Sequence, residues 1–336
     1  MELPHSRVAR LMNRSASIAA PAAMTTIARL GPVSRAAIPR VRPLVNRGMQ
    51  RAMSVPRGTR WWPAPDSPVP GEWVLGPSVA AEFAARGIES PLAAAELGYG
   101  AIYYVHGSGY TVASPATHRA LVSLLSHRTG LPAFSVDYRL GPENHFPAAG
   151  DDTIAGFRWL LAGGIDPGRI VVSGDSAGGH LGLDLVRCNH LDRLPGPAAL
   201  VFFSPLLDPS FTLSAAQQRI RRDPAFEAAA ARRIVGWYVG DASYDDPRLT
   251  IPITPDLPIP PTLIQAGELE MMSADAREMA RQLRAAGGDV TLQIWPDQGH
   301  VFQMLSAVSA PADRAVSIAA DFIRDSLGTA ERTLAR

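Results

Sequence analysis

Residues 170–181 read "IVVSGDSAGGHL", and this stretch predicts the turn around which the fold is arranged. A run of branched apolar residues, typical of a buried strand, stops at Gly174, and a helix-like pattern begins at Ala177. The residues between them fit the pattern Gly-x-Ser-x-Gly, with Ser176 at its centre. Glycines two positions before and after a serine let a strand and a helix approach each other without Cβ clashes. We therefore expect a tight strand-to-helix turn that points the Ser176 hydroxyl out of the sheet.

The chain around this turn alternates between short apolar runs and helix-like segments. The runs that we predict to be strands are 101–105, 133–136, 170–173, 200–204, 262–266 and 290–294. The segments that we predict to be helices are 115–129, 151–162, 177–190, 273–286 and 312–326. Strands that are apolar on both faces belong in a sheet covered on both sides. Their alternation with helices therefore indicates a mostly parallel α/β sheet with helices on both faces.

Residues 205–260 interrupt this alternation. Asp223 followed by Pro224 predicts a helix start, with the aspartate as N-cap and the proline at the first helical position. An insertion between late strands covers the strand ends, so the apolar face of this helix either packs on the domain or lines a substrate pocket. That face would consist of Phe226, Ala230, Ile234, Trp237 and Tyr238.

The composition sets limits on the class of protein. The 336 residues are 46% hydrophobic and carry a formal net charge of +1, which suits one large core. Nucleic-acid-binding proteins have an excess of clustered basic residues, and this chain lacks that overall excess. The one cysteine, Cys188, excludes an internal disulfide bond. We expect it to be a small hydrophobic residue rather than a nucleophile.

The first sixty residues differ in composition from the rest of the chain, with eleven arginines and one acidic residue, Glu2. Such a segment resembles an organelle transit peptide, and the apolar run 18–24 resembles a weak signal sequence. Pro21 interrupts that run and no convincing cleavage site follows it, so we favour a helical segment that packs on the domain. No stretch approaches the roughly 20 apolar residues that span a bilayer. We expect a cytoplasmic protein, with arginine contacts to a membrane or cell envelope left open.

The first predicted strand, 101–105, is followed by a loop of small residues, "HGSG" at 106–109. Backbone N–H groups in such a loop, together with one at the start of a helix, stabilise an oxyanion. We expect His106 to order this loop. The candidate oxyanion donors are Gly107, Ser108, Gly109 and Ala177.

A serine hydroxyl becomes a nucleophile when a base accepts its proton, and the base needs a carboxylate partner. Of the eight histidines, His300 comes just after the last predicted strand, and it is the candidate for this base. Three acidic residues follow strand 262–266: Glu268, Glu270 and Asp275. Asp275 is expected to lie in the next helix and to point away. The spacing alone does not choose between Glu268 and Glu270.

Together these segments resemble the hormone-sensitive-lipase-like family of α/β hydrolases over nearly all of residues 70–326. "HGSGY" at 106–110 resembles the family's His-Gly-Gly-Gly motif, and "GDSAGG" at 174–179 resembles its nucleophile box. "DYRLGPENHFPAAGDD" at 137–152 resembles the family's Asp-Tyr-Arg-Leu-Ala-Pro-Glu stretch. "SPLLD" at 204–208 and "GHVF" at 299–302 match as well.

The resemblance implies an α/β-hydrolase fold in which residues 71–330 form the catalytic domain. The segment 1–70 and the insertion 210–245 would form a helical cap. Ser176 would be the nucleophile, His300 the base and Glu270, thirty residues before the histidine, the acid. The implied activity is that of a carboxylesterase for short- to medium-chain acyl esters, without metal or cofactor. The implied partner is a small-molecule ester, and homodimerisation stays open.

Two positions depart from the family pattern. Ser108 replaces the middle glycine of the loop, and Glu270 stands where many members have aspartate. Both departures bear on efficiency and acyl size more than on the class of reaction. A true lipase, an acyltransferase and a non-catalytic small-molecule-binding relative remain alternatives, because a fold does not fix a function.

Overall fold

The computed structural model describes residues 32–334, which contain ten α-helices and eight strands. The strands are β1 Arg60–Pro63, β2 Gly71–Leu75, β3 Ala101–Val105, β4 Ala133–Val136, β5 Ile170–Asp175, β6 Ala199–Phe203, β7 Thr262–Gly267 and β8 Val290–Trp295. The helices are α1 Pro32–Ala52, α2 Pro77–Arg86, α3 Pro91–Ala95, α4 Pro115–Thr129, α5 Ala148–Ala162, α6 Ala177–Leu191, α7 Thr212–Ile220, α8 Ala228–Val239, α9 Ser273–Ala285 and α10 Ala310–Leu334. The interpretation of residues 1–31, including the apolar run 18–24, lies outside the described residues.

The eight strands form one sheet in the order β1-β2-β4-β3-β5-β6-β7-β8. Strands β3 to β8 are parallel to their neighbours, whereas β1 and β2 join the edge in antiparallel pairing. Alternate residues of the central strands enter two different cores, as Tyr103 and Tyr104 of β3 do. Helices α5, α6 and α9 cover one face, and α4 and α10 cover the other. The predicted α/β architecture is therefore confirmed.

The predicted strands and helices lie close to the observed ones. Strands 101–105 and 133–136 and helix 115–129 have the predicted bounds, and the other strands differ by one or two residues. The edge strands β1 and β2 were not predicted, because β1 is short and mostly exposed and lacks a buried-strand pattern. They also place the start of the sheet at Arg60, ahead of the domain boundary expected at residue 70.

The helix start predicted at Asp223-Pro224 is wrong, because the helix begins at Ala228. One carboxylate oxygen of Asp223 accepts hydrogen bonds from the N–H groups of Ala225 and Phe226, at 2.8 and 3.0 Å. This is the bonding pattern of an N-cap, which explains the sequence signal. The other oxygen accepts the N–H of Met271 at 2.8 Å, so the aspartate closes a turn and connects it to the segment after β7.

Helix α1 lies beside α8 and is anchored to the loops that follow β3 and β4. Ile38 packs in a small cluster with Ala230, Ile234 and Trp237. The Arg42 guanidinium donates to the carbonyl oxygens of Thr111 and Gly141 and forms two hydrogen bonds with Glu143, all at 2.8 Å. Within residues 32–334, no helix combines the length and the apolar character that crossing a membrane requires. The cap role expected of 1–70 and 210–245 stays a prediction.

The contact between α6 and β3 generates the first testable prediction. A Cβ atom on Gly178 would lie 1.9 Å from the carbonyl oxygen of Val105, so α6 would have to move away from the strand. Gly178→Ala is therefore expected to lower the free energy of unfolding by roughly 3 kcal/mol, measured by urea denaturation.

Gly328→Ala in α10 is the matched control, because a Cβ atom there would meet nothing within 4 Å. In a helix this change should be neutral or stabilising by up to about 1 kcal/mol. Equal unfolding midpoints for the two variants would contradict the importance of the contact between Gly178 and Val105.

Candidate active site

Ser176 lies at the junction of β5 and α6 in a strained backbone conformation, with φ 50° and ψ −120°. The two flanking positions have to be glycine because neither has room for a side chain. A Cβ atom on Gly174 would lie 2.8 Å from the carbonyl group of Gly178, and one on Gly178 would collide with Val105. The turn that the sequence predicts is therefore present, and Ser176 lines a cavity.

The loop after β3 lies beside Ser176. Ser108 has φ 81° and Gly109 has φ 62°, and both line the cavity with Ser176. The positive φ at Ser108 is a conformation that glycine adopts freely, so a serine at this position adds strain. Gly107 does not fit its expected place among the oxyanion donors, because its N–H donates to Oδ1 of Asp175 at 3.1 Å. The remaining candidates are Ser108, Gly109 and Ala177.

His300 follows β8 and contacts one of the three candidate acids. Its Nδ1 lies 2.5 Å from Oε2 of Glu270. Because a carboxylate only accepts hydrogen bonds, Nδ1 carries the proton and donates it. In the neutral ring, Nε2 is then the atom with a lone pair. The ring of Phe226 packs edge-on against the imidazole, with ring centroids 5.1 Å apart.

Glu270 is buried, with 1% of its surface exposed, and both of its carboxylate oxygens have partners. Oε1 accepts hydrogen bonds from the Ser204 hydroxyl at 2.7 Å and from the Gly267 N–H at 2.6 Å, while Oε2 faces His300. Three donors therefore compensate for the burial of this group.

The two other acidic candidates have different partners. Glu268 is on the surface, where it forms an ion pair of 3.1 Å with Arg221. Asp275 is buried in α9 and accepts hydrogen bonds from the N–H of Leu207 at 3.1 Å and from the Ser214 hydroxyl at 2.8 Å. Of the three, Glu270 alone is brought to His300, and the structure thus distinguishes alternatives that the spacing left open.

The pKa of His300 reflects opposing effects. Burial lowers this pKa, because the imidazolium loses hydration. The charge of Glu270 and its hydrogen bond raise it, with smaller contributions from Asp223 and Asp175. The net result is that the pKa of His300 lies above its ordinary value. The site therefore favours the protonated ring, which is the form that a base reaches after accepting a proton.

A second carboxylate and histidine pair, which the sequence analysis missed, lies beneath Ser176. Oδ1 of Asp175 accepts the Tyr104 hydroxyl at 2.9 Å and lies 3.4 Å from Nε2 of His118. Burial raises the pKa of Asp175, but the charge and hydrogen bonds of these neighbours outweigh it and hold the pKa below its usual range. Asp175 also accepts the Gly107 N–H, so it connects the turn at Ser176 to the loop after β3. The sequence signal that could have revealed this pair is the position of Asp175 directly before Ser176 in the motif.

His106 contacts the loop that it was expected to order. Its Nδ1 donates to the carbonyl oxygen of Gly107 at 3.0 Å, and its ring stacks on Tyr138 with centroids 4.3 Å apart. Burial lowers the pKa of His106 to about 3, so this ring is neutral at physiological pH. It therefore supports the loop without carrying charge.

The cavity above Ser176 has a volume of about 460 Å³ and mostly apolar walls. These walls come from α1 and α8, from residues next to these helices, and from the segments that follow β3, β6, β7 and β8. Their larger apolar side chains are Val45, Met49, Met53, Val112, Phe211, Phe226, Ile234, Val235, Met271, Met272, Met304 and Leu305. Within the described part of the chain, no group of three or more His, Cys, Asp or Glu side chains is arranged to bind a metal ion. The cavity is thus suited to an uncharged organic group next to a polar site.

Comparisons with known proteins agree with this geometry. A family model described as the alpha/beta hydrolase fold matches residues 102–304. An acetyl-hydrolase of Streptomyces hygroscopicus is 35% identical over 230 residues, which cover 68% of this chain and 76% of the relative. The esterase LipU of Mycobacterium tuberculosis is 35% identical over 237 residues, covering 68% and 78%. The crystal structure of an esterase from the bacterial hormone-sensitive lipase family matches with a TM-score of 0.75 and 29% identity, covering 92% of this chain and 98% of that one.

The contact between Glu270 and His300 generates the second prediction. Glu270→Gln removes the charge that raises the pKa of His300 and leaves the burial that lowers it. The pKa of His300 is therefore expected to fall below its value in the wild type, measured by NMR titration of the histidine ring signals.

Glu268→Gln is the control for this titration. It removes one carboxylate charge two residues away, but that carboxylate is paired with Arg221 on the surface. The pKa of His300 should then stay at its wild-type value. If Glu270→Gln left this pKa unchanged, the Glu270 carboxylate would not be the group that raises the pKa of His300.

Proposed function

The chain belongs to the hormone-sensitive-lipase-like family of α/β hydrolases, and from this premise we propose that it is a carboxylesterase acting on short- to medium-chain acyl esters through Ser176, His300 and Glu270. Relatives named acetyl-hydrolase and esterase support the ester hydrolase class. The observation that carries the assignment of residues is the 2.5 Å contact between His300 and Glu270 at a cavity that Ser176 also lines.

The first half of the reaction forms an acyl-enzyme. Nε2 of His300 accepts the proton of the Ser176 hydroxyl while Oγ attacks the ester carbonyl carbon. The carbonyl oxygen becomes an oxyanion, which the N–H groups of Ala177, Ser108 and Gly109 stabilise. The imidazolium then gives its proton to the alcohol oxygen, the bond between carbonyl carbon and alcohol oxygen breaks, and the alcohol leaves.

The second half repeats the same steps with water. Nε2 of His300 takes a proton from water, whose oxygen attacks the acyl carbon, and the bond to Ser176 Oγ breaks as the serine regains its proton. The carboxylic acid is released. Because the base must be neutral at each attack, the rate falls as pH drops through the raised pKa of His300.

The apolar lining of the cavity supports an acyl substrate. A volume of about 460 Å³ is in the lower part of the range of small-molecule sites. Each methylene that enters an apolar site contributes about 0.8 kcal/mol, so affinity rises with chain length until the cavity is filled. Methionines such as Met49 and Met271 are adaptable and allow several acyl shapes.

The role of Ser176 is tested directly by substitution. Ser176→Ala is expected to reduce the turnover of p-nitrophenyl esters by at least roughly 10³-fold, because it removes the attacking oxygen. A fluorophosphonate probe should label the wild type and not the variant. Turnover near the wild-type level in Ser176→Ala would overturn the assignment, and a wild type that the probe does not label would favour a non-catalytic binding protein.

The acyl range is tested with p-nitrophenyl esters from acetate to palmitate. We expect the highest kcat/KM at octanoate or below, as the proposed acyl range requires. A maximum at palmitate together with activation at a lipid interface would identify a true lipase instead. Transfer of the acyl group to added alcohols, detected by product analysis, would identify an acyltransferase.

A further inference from the structure

Ser204 is a buried hydroxyl residue that the proposed mechanism does not use. It comes directly after β6, at the start of the segment "SPLLD", and has no exposed surface. Its φ of 48° is unusual for a residue with a side chain. Its N–H donates to the carbonyl oxygen of Gln265 in β7 at 2.7 Å, which fixes the backbone at this point. Strain of this kind often accompanies a functional position.

The Ser204 hydroxyl connects two segments of the candidate site. Oγ donates to Oε1 of Glu270 at 2.7 Å and accepts the N–H of Val301 at 3.0 Å. Val301 is the residue that follows His300. One oxygen atom therefore contacts both the carboxylate and the backbone next to the base, which come from the loops after β7 and β8.

Glu270 needs such a partner because its carboxylate has to take one orientation. A glutamate has one more rotatable bond than an aspartate, so more side-chain freedom has to be removed. Ser204 and the Gly267 N–H together hold Oε1, and this leaves Oε2 directed at His300. Without the hydroxyl, Oε1 would retain one donor in a site that water does not reach.

From these contacts we propose that Ser204 is a positioning residue that fixes the Glu270 carboxylate relative to His300. The inference rests on the proposed function of these two residues. Ser204 is not among the residues that line the cavity, so it acts through Glu270 and the His300 loop rather than on the substrate. Its loss affects the chemical step and not the binding of the acyl group.

The test is Ser204→Ala, measured by steady-state kinetics on a short p-nitrophenyl ester across pH. Removing a hydrogen bond to a charged group is expected to lower kcat by roughly 10- to 100-fold. KM should change by less than about 2-fold, since Ser204 does not line the cavity. The acidic limb of kcat/KM and the NMR titration of His300 should both move to lower pH, because a loosened carboxylate raises the pKa of His300 less.

Two further variants separate the hydroxyl from other effects. Ser173→Ala in β5 is the matched control, because that serine is equally buried and its hydroxyl has no hydrogen-bond partner in the described part of the chain. It should keep the kinetics and the His300 titration of the wild type. Ser204→Gly removes the same hydroxyl and also relieves the positive φ, so it remains informative if Ser204→Ala folds poorly.

The outcomes are distinct. Slow turnover and a lowered His300 pKa in both Ser204 variants, with Ser173→Ala unchanged, support the proposal. Normal kinetics in Ser204→Gly would assign the serine to backbone structure and overturn it, as would a loss of kcat without any shift of the His300 titration. If the wild type does not hydrolyse esters, the proposed function fails, and the titration alone still decides whether Ser204 positions Glu270.

Discussion

The approach of α6 to β3 at Gly178 is the contact on which the site depends. The Gly178 Cα lies so close to the Val105 carbonyl that no side chain fits between them. This approach makes the turn at Ser176 tight, gives the serine its positive φ, and brings the start of α6 next to the loop that follows β3. Ser176 and the candidate oxyanion donors are therefore positioned by one steric condition. Asp175 adds a polar connection between the same two segments through the Gly107 N–H.

The parallel sheet brings the other groups to the same edge, because the carboxyl ends of parallel strands meet there. Two buried carboxylate and histidine pairs lie at this edge, and their hydrogen bonds distinguish them. His118 is contacted at both ring nitrogens, by Thr117 at 2.8 Å and by Asp175 at 3.4 Å. His300 uses Nδ1 for Glu270, which leaves the lone pair of the neutral ring on Nε2. The first pair supports the loop and the second suits proton transfer.

The buried elements of the fold could be predicted from the sequence, for a physical reason. Strands that are apolar on both faces and bounded by small residues leave a strong pattern, so β3 and β4 have the predicted bounds. The exposed edge strand β1 leaves none. At Asp223, a turn and a helix cap use the same hydrogen bonds, and the sequence does not distinguish them. The choice between Glu268 and Glu270, and the role of Ser204, depend on how separate loops meet in space, which local patterns do not encode.

The two sides of the cavity differ in how they are attached. The polar side is built from the segments after the strands, which are buried and hydrogen-bonded to each other. One apolar wall comes from α1. This helix is attached to the domain through Arg42, the cluster around Ile38 and other contacts. Buried strands resist local opening more than a helix at the periphery of the sheet does. Substitutions in the α1 wall can therefore change the shape available to an acyl group while the geometry at Glu270 and His300 is preserved. In this architecture, the selection of substrate and the chemistry are physically separable, because different elements carry them.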